Sequence, residues 1–159
     1  MRVQANASRF AVRAELHGIM SKPAAQRWRT VLGWSLRLIA AAILGQALFF
    51  KFSAAPESVF IFRTLGIEPW GRIFTGLCEL LAVVLLLLPR TAGVGGALGA
   101  GLMAGALVSH LFVLGIEVQG DGGTLFGLAI ITFVACTTTC FLQREQLLAL
   151  LARRRYFRA

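Results

Sequence analysis

The chain has 159 residues, of which 57% are hydrophobic and 14% charged, and its mean hydropathy is +0.75. Soluble domains are about 45–50% apolar and about 25% charged, so this composition excludes a disordered chain and favours a membrane protein over a soluble globule. The formal net charge is +9, but the basic residues cluster in segments 1–29 and 143–159 on either side of an apolar middle, so no nucleic-acid partner is expected.

The first apolar segment, Val31–Phe50, has the roughly 20 residues that a membrane-spanning helix needs. The basic segment before it is too long for a signal peptide, and the small residues Ser53 to Ala55 are followed by Pro56, which disfavours cleavage. The sequence therefore predicts that this first segment is a retained helix.

Two polar faces of the first segment compete for the interior of a bundle. Arg37 and Lys51 are 14 residues apart and fall on nearly the same face, whereas Gln46 is nine residues from Arg37 and falls on the opposite one. Both faces cannot point inward. Either Gln46 or the Arg37/Lys51 face must meet lipid or a neighbouring chain.

Residues 52–72 form the one sizeable loop of the apolar region. Pro56 and Glu57 favour a helix start, because proline tolerates the first turn and an acid suits the positive end of the helix dipole. We predict a short helix on the membrane surface that stops at Gly66. The alternative is an irregular loop anchored by Trp70.

Three further apolar segments complete the set of spans. They are about Trp70–Leu88, which contains Glu79; Ala92–Ile116, which contains His110; and Gly122–Leu142, which carries no charge. The strict alternation of barrel strands is absent, so these segments are predicted to be helices. The fold class is therefore an all-α membrane protein, an antiparallel bundle of four transmembrane helices with a short interfacial helix in the first outer loop.

The basic residues predict the orientation. By the positive-inside rule, the basic tails 1–29 and 143–159 and the turn Pro89–Arg90 are cytoplasmic, whereas the connection Gly115–Gly123 has no Lys or Arg. The predicted organisation is a cytoplasmic tail, a transmembrane domain over 30–142 and a second cytoplasmic tail. The expected location is the inner (plasma) membrane.

Polar residues inside the spans are the candidate binding residues, because such residues are costly in a bilayer. Gln46, Glu79 and His110 lie at one level, about 7–10 Å from the outer end of their helices at 1.5 Å per residue. Glu79 and His110 both share a face with small residues, which predicts a contact between them with Lys51 at its mouth. This pair forms either a proton-accepting or ligand-binding pocket or a polar contact that fixes helix register. With Arg37, these residues make up the candidate set.

The third span is rich in glycine. Gly95 and Gly99, and likewise Gly101 and Gly105, have the small-xxx-small spacing that lets helices approach closely. Tight packing inside the bundle is the favoured interpretation. A dimer seam or a flat slot for a quinone is the alternative.

Two cysteines on the fourth span, Cys136 and Cys140, are one helical turn apart, and Cys78 lies near the opposite membrane surface. Their spacing suits neither a disulfide nor a structural zinc site, so small buried side chains are favoured over a redox pair. No metal site is predicted.

Several short motifs between Val31 and Leu142 resemble the DoxX-like family of small membrane proteins. The resemblance implies a four-helix inner-membrane protein. The matching features are Gly45, Lys51-Phe52, Gly66 with Pro69, Gly76-x-x-Glu79, the leucine run to Pro89, Gly105-Ala106, Ser109-His110-Leu111 and Asp121-Gly122-Gly123.

Some DoxX-like relatives are accessory subunits of quinone-linked or sulfur and oxidative-stress oxidoreductases, so the resemblance implies a redox-associated subunit. No catalytic motif stands out, which favours a non-catalytic role over an enzyme. The chain is expected to have no cofactor of its own, to bind a hydrophobic ligand for which quinone is the candidate, and to contact the bilayer and other membrane subunits or its own copies. The alternatives are a structural scaffold, or a small transporter or lipid-handling protein with a Glu79/His110 polar pocket.

Overall fold

The computed structural model describes residues 24–145, with side chains from residue 27 onward. Within this range the chain contains five α-helices and no β-strand. The helices are α1 (Ala24–Phe52), α2 (Pro56–Thr64), α3 (Trp70–Leu87), α4 (Ala92–Ser109), which continues into a π-helical turn (His110–Leu114), and α5 (Thr124–Leu142). The predicted all-α class is confirmed.

Four of these helices are long and apolar enough to cross a membrane, as predicted, and the chain is a multi-pass membrane protein. Helix α1 starts at Ala24, before the predicted Val31, because the residues from Ala24 to Arg27 ahead of the apolar segment are strong helix formers. The short helix after Pro56 is confirmed, and its position on the membrane surface stays a prediction. The rest of the two basic tails, residues 1–23 and 146–159, lies outside the described residues.

The chain forms two compact units, one up to Trp34 and the other from Ser35. The described part of the first unit is the beginning of α1, where Trp28 and Val31 are exposed. The packing and the sites below lie within the second unit.

Helices α1 and α3 run antiparallel, and an arginine on each binds the C-terminal end of the other. The last carbonyls of a helix have no partner within it. Arg37 Nε on α1 donates to the carbonyl oxygen of Leu86 at 2.5 Å, near the end of α3. Arg72 Nη1 on α3 donates to the carbonyl oxygen of Lys51, near the end of α1. The two arginines thus satisfy carbonyls at opposite ends of the pair.

Helix α4 uses its glycines for close approach to both neighbours. A Cβ added at Gly95 would lie 2.5 Å from the Leu86 nitrogen of α3. One added at Gly96 would lie 2.7 Å from the Cys136 oxygen of α5. Tight packing inside the bundle is therefore confirmed for this part of the helix. Gly101 and Gly105 meet nothing within 4 Å, so only they are open to the predicted dimer seam or quinone slot.

The core lies where α1, α3, α4 and α5 meet. It consists of small and aliphatic side chains, whereas the exposed hydrophobic residues of the spans contact the bilayer. The buried members are Ala40, Leu44, Ala82, Leu86, Met103, Ala129, Ala135 and Cys136.

Candidate functional site at the Lys51 end of the bundle

A buried ion pair joins α1 to α3. Lys51 Nζ lies 3.0 Å from Oε1 and 2.9 Å from Oε2 of Glu79, so it lies close to both carboxylate oxygens. The side chains are 15% and 5% exposed, respectively. Gly76, one turn before Glu79, leaves the space that Phe52 and Lys51 fill, because a Cβ there would lie 3.2 Å from the Phe52 ring. In the Gly76-x-x-Glu79 motif, the glycine thus leaves room for the Lys51 side chain, and the glutamate neutralises its charge.

A second ion pair lies beside the first. Arg72 Nε donates to Glu68 Oε1 and Oε2 at 2.9 and 3.1 Å, and its Nη2 is 2.8 Å from Oε1. The same guanidinium binds the Lys51 carbonyl. Neither Glu68 nor Arg72 is among the predicted site residues, although their i, i+4 spacing is a signal for an ion pair. Together, the four side chains form one connected charge cluster of Lys51, Glu68, Arg72 and Glu79.

An open apolar groove of about 740 Å³ runs along the start of α3. This volume is within the range of small-molecule sites, about 300–1,000 Å³. Glu68 is the charged residue in its lining, so the groove touches the charge cluster at one point. The other lining residues are Gly66, Ile67, Trp70, Gly71, Ile73, Phe74 and Leu77.

His110 occupies a different local structure, the π-helical turn that ends the third span. Its Nδ1 is 2.8 Å from the carbonyl oxygen of Gly115, so this ring nitrogen carries the hydrogen and donates it. The Gly115 amide in turn donates to the His110 carbonyl at 2.8 Å. Gly115 has φ of +83°, a conformation that glycine adopts without steric cost. The ring is buried and packs edge-on against Phe126.

Asp121 organises the connection between the π turn and α5. Its Oδ1 accepts hydrogen bonds from the amides of Val118 and Gly123 at 2.8 and 3.0 Å, and its Oδ2 accepts one from Leu125 at 2.8 Å. These amides, with Leu125 contributing most, lower the pKa of the Asp121 carboxyl. The Asp121-Gly122-Gly123 motif thus holds the loop and begins the last helix.

The competition between the two polar faces of α1 is resolved. Arg37 is buried and Lys51 is paired inside the bundle, so their shared face points inward. Gln46 is exposed. It is therefore the Gln46 face that meets lipid or a neighbouring chain.

The sequence profile of the DoxX-like family matches residues 35–137. The chain belongs to the DoxX-like family. The comparisons with curated proteins and with solved structures give no significant match.

Of the polar motif positions in this DoxX-like chain, Lys51 and Glu79 form an ion pair, whereas His110 binds the Gly115 carbonyl. Within residues 27–145, no hydrogen bond or ion pair joins Glu79 to His110. The direct contact predicted from their equal depth is therefore wrong. Equal depth and small-residue faces did not identify the nearest polar partner, which for Glu79 is a lysine on α1 and for His110 a carbonyl of its own connection.

The three cysteines are not members of the charge cluster. Cys136 is buried, Cys78 and Cys140 are partly buried, and all three are free thiols. Cys136 Sγ occupies the space beside Gly99, where an added Cβ would lie 2.7 Å from it. Within residues 27–145, no three His, Cys, Asp or Glu side chains are grouped so that they could hold a metal ion.

Proposed function

We propose that this DoxX-like protein is a non-catalytic accessory subunit of a quinone-linked redox complex and that its groove binds a lipid-soluble quinone. The observation that carries the proposal is an apolar groove on a membrane-spanning helix that has one carboxylate, Glu68, in its wall. Such a surface suits a molecule with a long apolar chain and a small polar head.

The groove residues fit a quinone by type. Ile67, Phe74 and Leu77 offer the apolar contact that an isoprenoid chain needs, and the Glu68 carboxylate can accept a hydrogen bond from a quinol hydroxyl. A bound quinone supplies two-electron, two-proton chemistry. The role of this chain would be to hold and orient the head beside a partner subunit that exchanges the electrons.

Arg72 would connect ligand binding to the rest of the protein. It binds Glu68 in the groove wall and also the carbonyl of Lys51, whose ammonium neutralises Glu79. A ligand that moves Glu68 therefore acts on the end of α1 through one guanidinium. This link supports a subunit that reports occupancy of the groove to its partner.

The transport alternative relied on a polar path through Glu79 and His110. In the described part of the chain these residues have different partners and no hydrogen bond to each other. The lack of a direct link between them supports a binding subunit over a conduit. A scaffold without a ligand would need no groove and is distinguished by the experiment below.

The proposal includes the inner membrane as the location, with both termini in the cytoplasm. The support is the clustering of basic residues in the tails and the absence of Lys and Arg from the Gly115–Gly123 connection. The Lys51 end, with the groove and the charge cluster, then lies on the outer side of the membrane.

The test is purification of the tagged full-length chain from its native membranes in a mild detergent, followed by mass spectrometry of bound proteins and spectroscopic measurement of extracted quinone. We expect an oxidoreductase subunit and quinone to copurify. Recovery of the chain alone and free of quinone would overturn the proposal, and recovery with a partner but without quinone would leave only the scaffold role.

A matched pair of leucines on α3 tests the groove itself. Leu77 lines the groove and Leu81 does not, yet their side chains are 53% and 52% exposed on the same helix. Leu77→Trp should fill the groove and reduce the copurified quinone at least severalfold, whereas Leu81→Trp should leave it unchanged. Equal quinone content in the two variants would show that the quinone binds elsewhere.

A further inference from the structure

The exposed side of α1 carries one feature that the proposed function does not use. Gln46 lies six residues before the end of the helix at Phe52, about 9 Å along the axis at 1.5 Å per residue. It is within a predominantly apolar span and its side chain is exposed. A polar amide therefore faces out of the protein at a depth where the surroundings are hydrocarbon.

Gln46 has no hydrogen-bonding partner among residues 27–145. In hydrocarbon no water can replace that partner, so an amide there binds a polar group on a neighbouring helix. The surroundings allow such a helix to approach: Ala42 and Phe49 lie on the same face, and Gly45 beside them has nothing within 4 Å of an added Cβ. Small residues beside a glutamine are typical of helix–helix interfaces in membranes.

We propose that the Ala42–Gln46–Phe49 face of α1 binds the same face of a second copy of this chain, with the two Gln46 side chains hydrogen-bonded to each other. All copies insert in one orientation, so a two-fold axis that relates two of them runs along the membrane normal. Each residue on such an axis meets its own counterpart at the same depth. A residue at that position must complement itself.

Glutamine meets this requirement because its amide both donates and accepts hydrogen bonds. Two Gln46 side chains can therefore satisfy each other, whereas two lysines or two glutamates would repel. The competing surface, the Gly101/Gly105 face of α4, is open, and the polar side chain next to it is Ser109. The Ser109 hydroxyl already donates to the Gly105 carbonyl at 2.9 Å, so it needs no partner on another helix.

Disulfide cross-linking of the full-length chain in membranes tests the axis. Cys78, Cys136 and Cys140 are first replaced by alanine, and single cysteines are then introduced. We expect Ala42→Cys, which lies on the same face and keeps Gln46 in place, to form a dimer of this chain on mild oxidation. Leu80→Cys, which is exposed on α3 outside the groove and, like Ala42, lies ten residues from this end of its helix, is the control and should remain monomeric. Cross-linking at Gly105→Cys instead, or of Ala42→Cys to a different polypeptide, would overturn the proposal.

The strength of the contact is measured by energy transfer between labelled copies in phosphatidylcholine/phosphatidylglycerol vesicles. Gln46→Leu should raise the dimer dissociation constant about tenfold, the scale expected for an interhelical hydrogen bond. Gln46→Asn, which keeps a self-complementary amide, should restore part of the affinity. A dissociation constant unchanged in Gln46→Leu, or a wild-type chain that is monomeric at every protein-to-lipid ratio, would contradict the role of Gln46.

Discussion

The two helix pairs of this protein are joined in opposite ways. Helices α1 and α3 are connected by long charged side chains, with an arginine at each end and the Lys51–Glu79 ion pair near one of them. Helices α4 and α5 pack closely at glycines that have no side chain. Gly96 and Gly99 face the Cys136 turn at distances that leave no room for a Cβ.

This difference shows two solutions to one problem. Within a bilayer there is little hydrophobic gain from pressing two apolar helices together, so association depends on polar contacts or on close van der Waals packing. Polar contacts fix a register through a few atoms and fail when one partner is removed. Glycine packing fixes it through the whole surface and fails when one atom is added.

The largest effect is expected from breaking the ion pair. Lys51→Met leaves the Glu79 carboxylate buried without its cation and should lower the free energy of unfolding by about 3 kcal/mol or more. Unfolding in mixed detergent micelles, followed by circular dichroism, measures it. Replacing both residues, Lys51→Met with Glu79→Leu, should cost less than the sum of the single changes, because no charge is then stranded.

A second double-mutant cycle sharpens this result. Glu79→Gln and His110→Phe should be additive within about 0.5 kcal/mol, because the two side chains have separate partners. A strong coupling between Glu79 and His110, with none between Glu79 and Lys51, would contradict the Lys51–Glu79 ion pair.

The glycine interface predicts a somewhat smaller effect with the opposite chemistry. Gly96→Ala places a methyl group 2.7 Å from a backbone oxygen of α5, and overpacking of this kind costs about 1–3 kcal/mol. Gly101→Ala, where nothing lies within 4 Å, should be neutral or slightly stabilising, since alanine is the better helix former. Equal melting temperatures for the two variants would contradict close packing at Gly96.

Most of the fold could be predicted from the sequence because each span is a long apolar segment bounded by proline, glycine or charge. The short helix after Pro56 was predictable from the same local rules. The π turn at His110 was not, because it depends on the hydrogen bonds that Gly115 makes with the ring and with the carbonyl of His110. That closure is set by the connection rather than by helical periodicity.

The candidate site was predicted only in part, for a physical reason. Depth along a helix follows from residue number, so Glu79 and His110 were predicted to lie inside spans, as they do, with Lys51 at the mouth of their contact. Which helices are neighbours, and how each is rotated, depends on packing. The sequence therefore did not predict that Glu79 faces α1. Nor did it predict that Arg72 binds both Glu68 and the end of that helix.

Another pair of variants tests the opposite end of the α1–α3 pair. Arg37→Met removes the donor to the Leu86 carbonyl and should cost about 1–2 kcal/mol, because a buried carbonyl at a helix end loses its partner. Arg90→Met, in the exposed turn after α3, is the matched control and should stay within about 0.5 kcal/mol of wild type. Similar losses in both variants would indicate a general charge effect in place of a specific contact.

The smallest effect is expected in the loop before α5. Neither ion pairs between helices nor glycine packing stabilises this loop. Three backbone amides, that of Leu125 foremost, lower the pKa of the Asp121 carboxyl below the value of about 3.9 for an unfolded aspartate. The stabilisation is therefore complete above that value and is lost as the pH falls through the lowered pKa of the folded state. Asp121→Asn should melt below wild type at pH 7, because the amide cannot accept all three hydrogen bonds as a carboxylate does. The difference in melting temperature should shrink on acidification toward pH 3.

The control is Glu117→Gln, which replaces an exposed carboxylate in the same connection and should show no such convergence. Melting curves of Asp121→Asn that run parallel to wild type across this pH range would mean that the carboxylate does not hold the loop.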